Sequence, residues 1–235
     1  TAKQIAEACT NKTKALILNS PSNPTGMIYT KAELEEIAAV VVGKDIYVVS
    51  DEIYENLVYG EDEHTSIATL NDEIYKRTIT CNGLSKSYAM TGWRIGYTGS
   101  SVEIAKLMGS VQSHQTSNPN SIAQKAAVEA LNGPQDTVIA MNKEFDERRK
   151  YMLDRIKAMP LVDAITPQGA FYLFVDVNAI LEKEYKESEI ATTDKLADIL
   201  LNDFMIAVVP CGDFGFDDHI RLSHAISMTH IKKGL

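Results

Sequence analysis

The chain has 235 residues, a net charge of -9, and 45% hydrophobic against 23% charged residues, proportions of an ordinary globular protein that exclude a disordered tail, a collagen-like repeat and a coiled coil. The negative charge argues against nucleic acid and anionic membranes as partners, since phosphate is repelled at long range, and no apolar run is long enough to cross a bilayer. Three widely spaced cysteines, Cys9, Cys81 and Cys211, provide neither a disulfide framework nor a zinc-binding pair, so the expectation is a metal-free protein of the cytoplasm.

Thr1 leads directly into an amphipathic segment with no initiator Met, which gives the expectation that the chain begins inside something longer. Residues 14–19 (KALILN) form an apolar run ending in SPSNPTG, whose Pro and Gly residues must turn, so a strand feeds a loop. Thr30 then caps a helix with Glu33 at the capping-box position and Leu34, Ile37, Ala38 and Val41 at helical spacing, and Gly43 closes it. A second apolar run, residues 45–50 (DIYVVS), makes strand, helix, strand in about thirty residues, the pattern of a parallel crossover. Residues 77–81 (RTITC) read as a third strand, followed by a Gly- and Ser-rich loop and another strand-like stretch. In open α/β sheets such loops, at the carboxyl ends of strands, hold ligands.

Residues 121–131 are Ala-rich and helical in pattern, and Asn132, Gly133 and Pro134 break them before a second long helix to about Met159. After Pro160 the pattern changes to short strands at 170–175, 206–209 and 220–223, with a helix near 194–203, as in a smaller α+β domain. The expected division is residues 1–131 and residues 132–235.

Four segments carry chemistry. SKSYAMTGWRIGY (85–97) centres on Lys86; SDEIYE (50–55) places Asp51 directly after a strand, with Tyr54 three residues on; PSNPTG (21–26) holds Asn23 in a turn; HIRLS (219–223) contains Arg221. Singly these are bland: a lysine between serines is usually a solvated surface residue, an Asp after a strand usually a cap, and NPTG a generic turn.

Together, in this order, they resemble the class I pyridoxal-phosphate-dependent aminotransferases, the aspartate aminotransferase family in its bacterial subgroup. The resemblance implies a fold-type I α/β architecture: a large domain with a mostly parallel sheet, here incomplete and lacking its N-terminal part, followed by the C-terminal part of a small α+β domain. It implies that Lys86 forms the imine with pyridoxal 5'-phosphate and moves the substrate α-proton, and that Asp51 pairs with the ring nitrogen. By the same likeness Asn23 and Tyr54 hydrogen-bond the ring oxygen and Asn23 helps hold substrate. Arg94 and Ser85 then bind the phosphate, and Arg221 clamps the substrate α-carboxylate in a bidentate fork.

PQGAFY (167–172) and SNPNSIAQ (117–124) support the likeness, while His224 and the CGDFG loop (211–215) depart from it. The implied reaction transfers an amino group between an amino acid, such as aspartate, and a 2-keto acid, with glutamate and 2-oxoglutarate as the common pair, in a homodimer. A lyase of the same fold would keep the same residues, and a noncatalytic truncated fragment would keep the fold alone. The chain by itself is expected to be inactive.

Overall fold

The computed structural model describes all 235 residues and separates them into two units, Thr1–Pro21 with Ile28–Ile139, and Ser22–Met27 with Ala140–Leu235. The first unit contains α1 (Ala2–Ala8), β1 (Ala15–Asn19), α2 (Lys31–Gly43), β2 (Tyr47–Asp51), α3 (Asp72–Tyr75), β3 (Thr78–Gly83), β4 (Gly96–Gly99), α4 (Val102–Gln115) and α5 (Ser121–Asn132). Its sheet has the order β1-β2-β3-β4; the first three strands run parallel and β4 pairs antiparallel with β3. This is the mostly parallel α/β sheet the sequence pattern predicts.

The helix α2 forms because both halves of its capping box are made: the Thr30 hydroxyl accepts from the Glu33 amide, and the Glu33 carboxylate accepts from the Thr30 amide. That bonding holds the Glu33 carboxyl below its usual range. Leu34, Ile37, Ala38 and Val41 then share one face and are at most 3% exposed, packing against Leu18, Ile46, Val48, Ile67 and Ile74. Full burial of each large member stabilises the unit by about 1.5–3 kcal/mol. By contrast α4 buries no residue, and β4 is exposed along its whole length.

The helix α6 (Asp136–Lys157) begins in the first unit and continues into the second, which adds β5 (Asp163–Ala164), β6 (Tyr172–Asp176), β7 (Glu184–Tyr185), β8 (Ser188–Glu189), α7 (Thr193–Phe204), β9 (Val209–Pro210), β10 (His219–Ser223) and α8 (Met228–Gly234). Its main sheet, β5-β6-β10-β9, is antiparallel at every pairing. Met152, Leu153 and Ile156 of α6 pack with Leu173, Val175 and Ile220 of the sheet and Leu196 of α7 as one core.

The strand anticipated at 206–209 begins only at Val209. Met205 adopts left-handed φ 60° as the cap of α7, and the Ile206 amide reaches back to the Leu200 carbonyl, so the first residues of that apolar run finish the helix.

The six residues Ser22–Met27 belong to the second unit although the chain on both sides of them belongs to the first. They close on themselves, the Ser22 amide donating to the Met27 carbonyl and the Gly26 amide to the Ser22 carbonyl. The Gly26 carbonyl then accepts from the amides of Gln168 and Gly169 at 2.8 and 2.7 Å. Gly26 has φ +70°, and a Cβ there would stand 2.5 Å from Pro167 Cβ, so only glycine fits both the conformation and the approach.

Candidate active site

In the first unit the candidate residues gather at the carboxyl ends of β2 and β3. Asp51 is the last residue of β2, held in register between Asn19 of β1 and Cys81 of β3. Its Oδ1 accepts from the Ile53 amide at 3.2 Å, an Asx turn that carries the chain out of the strand, and its own carbonyl accepts from the Ser20 amide and from Asn19 Nδ2. The turn delivers Tyr54, 4% exposed, where its ring lies 5.9 Å from the Lys86 ammonium nitrogen. Lys86 itself is half-buried in the turn after β3, with Ser85 before it and the buried Ser87 after it. The amides of Tyr88 and Met90 close that turn onto the Leu84 carbonyl.

Arg94 follows in left-handed conformation at the end of a short 3-10 turn, exposed, with Nη1 donating to the Thr91 carbonyl at 3.0 Å. It lines an open cavity of about 620 Å³ together with Gly92, Trp93, Asn120, Ile122 and Ala123.

Beneath the Asp51 turn lies a buried polar knot to which the sequence pattern gave no role. Glu52, 2% exposed, accepts from the hydroxyls of Ser50 and Ser66 at 2.9 and 2.7 Å and lies 3.1 Å from His64 Nε2. Burial opposes its ionisation, but the bonds from His64, Ser66 and Ser50 outweigh that and hold the carboxyl below its usual range. An ionised carboxylate only accepts, so His64 donates from Nε2. Burial, with the negative charges of Asp51 and Glu52, pushes the Cys81 thiol up.

The second unit holds the remaining pair. Arg221 projects from the middle of β10, opposite Phe174 of β6, and donates from Nη1 to Asn23 Oδ1 at 2.5 Å. Its guanidinium lies over the Tyr172 ring at 4.5 Å and near the Phe214 ring at 5.5 Å. Such contacts are each worth about 0.5–2 kcal/mol and keep the planar fork oriented. Tyr172 and Phe214 were legible only as fold residues and as part of an unusual loop. Their stacking on Arg221 arises from pairings between segments distant in sequence.

The donor set suits the group that the resemblance implies. The first unit offers one amine for an aldehyde, one carboxylate at a strand end for a protonated ring nitrogen, and a phenol, hydroxyls and a guanidinium for an anion. Ser87 Oγ, buried without a hydrogen-bond partner, is one more donor on the Lys86 turn. The second unit offers a guanidinium and an amide, the groups that bind a carboxylate.

Comparison with known proteins identifies the family. All 235 residues match the family described as aminotransferase class I and II. The chain is 46% identical over 235 residues to an aspartate aminotransferase of Bacillus sp. (strain YM-2), covering 100% of this chain and 59% of that protein. It is 43% identical to an asparagine--oxo-acid transaminase of Streptococcus mutans, again covering 59% of the relative. The crystal structure of an aspartate aminotransferase from Rhizobium meliloti superimposes with a TM-score of 0.95 at 38% identity, over 100% of this chain and 59% of that one. The chain thus spans about three-fifths of the length of these relatives.

Proposed function

Because the chain belongs to the class I and II aminotransferase family, we propose that the protein transfers an amino group between an amino acid and a 2-keto acid with pyridoxal 5'-phosphate. The observation that carries this reading is the Lys86 turn beside Asp51 and Tyr54 at the carboxyl ends of adjacent parallel strands, with the Lys86 nitrogen 5.9 Å from the Tyr54 ring. Aspartate or another amino acid serves as donor, with glutamate and 2-oxoglutarate as the common pair. The working setting is a cytoplasmic homodimer. Three free cysteines and the absence of any helix long and apolar enough to cross a membrane are compatible with it.

The cofactor, when bound, supplies an aldehyde and an electron-withdrawing ring. Lys86 would supply the amine that holds the aldehyde and the base that moves the proton of the substrate α-carbon. Asp51 would face the ring nitrogen and hold a proton there. Tyr54 would donate to the ring oxygen, while Asn23 braces Arg221 within the second unit. Arg94, with Ser85, neutralises the phosphate. Arg221 receives the α-carboxylate shared by all donors, which fixes the α-carbon without reference to the side chain.

The experiment incubates the complete protein with pyridoxal 5'-phosphate, a panel of amino acids and 2-oxoglutarate, then follows glutamate formation and maps borohydride-trapped cofactor by peptide mass spectrometry. Glutamate formation with the adduct on Lys86 is expected. An adduct on another lysine, or keto-acid release with ammonia in the absence of an acceptor, overturns the reading.

A further inference from the structure

Arg149 lies in the middle of α6 and is 8% exposed, the one arginine among the buried charged residues. A guanidinium is removed from water only where its donors are met, and the partners of this one lead to the carboxylate pair. Its Nε and Nη2 both donate to Asp146 Oδ1, at 2.9 and 2.6 Å, while Nη1 donates to the Pro167 carbonyl at 2.9 Å. Lys150 Nζ takes the other oxygen of Asp146 at 2.6 Å. The Asp146 carboxyl is held below its usual range, its bonds to Lys150 and Arg149 outweighing burial. The fork is therefore aimed: Asp146 fixes one side of the guanidinium and Nη1 meets a backbone carbonyl.

Pro167 is the residue against which Gly26 packs, and the next two amides, Gln168 and Gly169, donate to the Gly26 carbonyl. Gly26 closes the Ser22–Met27 loop, and that loop carries Asn23, the acceptor for Arg221. A continuous set of contacts therefore runs from Arg149 through Pro167 and Gly26 to Asn23 and Arg221, all within one unit.

We infer that Arg149 is a positioning residue for the Asn23–Arg221 pair, acting through Pro167 and the Gly26 loop. The inference rests on the assignment of Arg221 to the substrate carboxylate. Arg149 touches neither substrate nor cofactor. Its part is to hold the 167–169 turn at the height where Gly26 seats, so that Asn23 Oδ1 meets the guanidinium and leaves the other edge of the Arg221 fork for substrate.

The test compares Arg149→Met and Arg149→Lys in the complete enzyme. Methionine keeps the length and apolar stem but makes none of the three bonds. It should raise KM at least tenfold for every amino-acid donor alike, leave kcat within threefold and leave the affinity for cofactor unchanged. It should also speed amide exchange at Gln168 and Gly169 at least tenfold and shift the NMR signal of the Arg221 guanidinium. Lysine, with one donor able to reach the Pro167 carbonyl, should recover most of the KM.

Unchanged KM, or equal loss of kcat and cofactor affinity with a lowered Tm, marks Arg149 as merely structural and overturns the inference; so does an unaltered Arg221 signal. Should Arg149→Met fail to fold, Asp146→Ala, which leaves the guanidinium present but unaimed, must give the same KM-selective change in smaller measure, and its absence is equally fatal. If the parent protein catalyses no transamination, the proposed function fails, while amide exchange and the Arg221 signal still decide whether Arg149 positions the pair.

Discussion

Arg221 donates to the side-chain oxygen of Asn23, a residue 198 positions earlier in the chain, while the faces of two aromatic rings, Tyr172 and Phe214, lie 4.5 and 5.5 Å from the same guanidinium. Hydrogen bonding fixes one edge of the fork and stacking fixes its plane.

Arg221→Lys should therefore weaken every amino-acid substrate to a similar degree, by roughly tenfold to a hundredfold in KM, the loss of about one charge-assisted hydrogen bond of 1.5–3 kcal/mol. Steady-state kinetics across a donor panel checks it. A change of preference among side chains, with normal affinity for the α-carboxylate, would reassign Arg221 to side-chain recognition.

Lys86→Ala should abolish turnover and the visible imine absorbance, since no other amine adjoins the Asp51 turn in the sequence motifs. Asp51→Asn should retain cofactor and yet slow the proton-transfer step by at least about 100-fold, because a neutral amide no longer stabilises a charged ring nitrogen in a water-poor site. Stopped-flow absorbance separates the two effects, and a wild-type rate in the Asn variant would end the assignment of Asp51.

His224 is fully buried, with its ring edge-on to Phe145 at 5.8 Å. Burial, then the charges of Arg149 and Arg148, lower its pKa from 6.5 to about 3. The folded form keeps the ring neutral while the unfolded form takes up a proton below pH 6.5. The stabilisation is thus complete above that value and drains away as pH falls towards 3, at about 1.4 kcal/mol per pH unit. Thermal melts between pH 7 and pH 5 should show a steeper loss for the native protein than for His224→Phe; parallel curves would contradict this.

Cys211 is 0% exposed, and burial pushes its thiol up to about 11, with Arg221 pulling the other way. Since the thiolate is the nucleophile, iodoacetamide at pH 8 should modify Cys9 in the native protein well before Cys211. Peptide mapping reads the order, and early labelling of Cys211 would show that β9 and β10 open readily.

How far the sequence carried these features depended on whether the cause was local. The capping box at Thr30 and Glu33 and the spacing of Leu34, Ile37, Ala38 and Val41 lie within one helix, so α2 was legible to within a residue. The strands β1, β2 and β3 announced themselves as apolar runs between turns. In contrast α4 escaped notice because it buries nothing: without a core-facing stripe there is no periodicity to read. The motifs at Lys86 and Asp51 could be recognised as short strings, but the knot joins Glu52 to His64 and Ser66, twelve and fourteen positions further on. Arg149 stands in no motif, and its place on a long helix does not single it out. Its importance depends on Pro167 and Gly26, and no spacing rule links those three.

The loop Ser22–Met27 is made more than a hundred residues before the segment it is housed with, Ala140–Leu235. At a synthesis rate of about 5–20 residues per second, Asn23 leaves the ribosome roughly 10–40 s before Arg221 exists to meet it, and Gly26 waits about 7–28 s for the turn at Pro167. During that interval the strand β1 can pair with β2 and β3 as soon as they emerge, while the short loop between β1 and α2 must stay out of their way. A nascent chain can therefore pair β1, β2 and β3 before Arg221 exists, and one stopped short of Arg221 would have those pairings without the bond to Asn23.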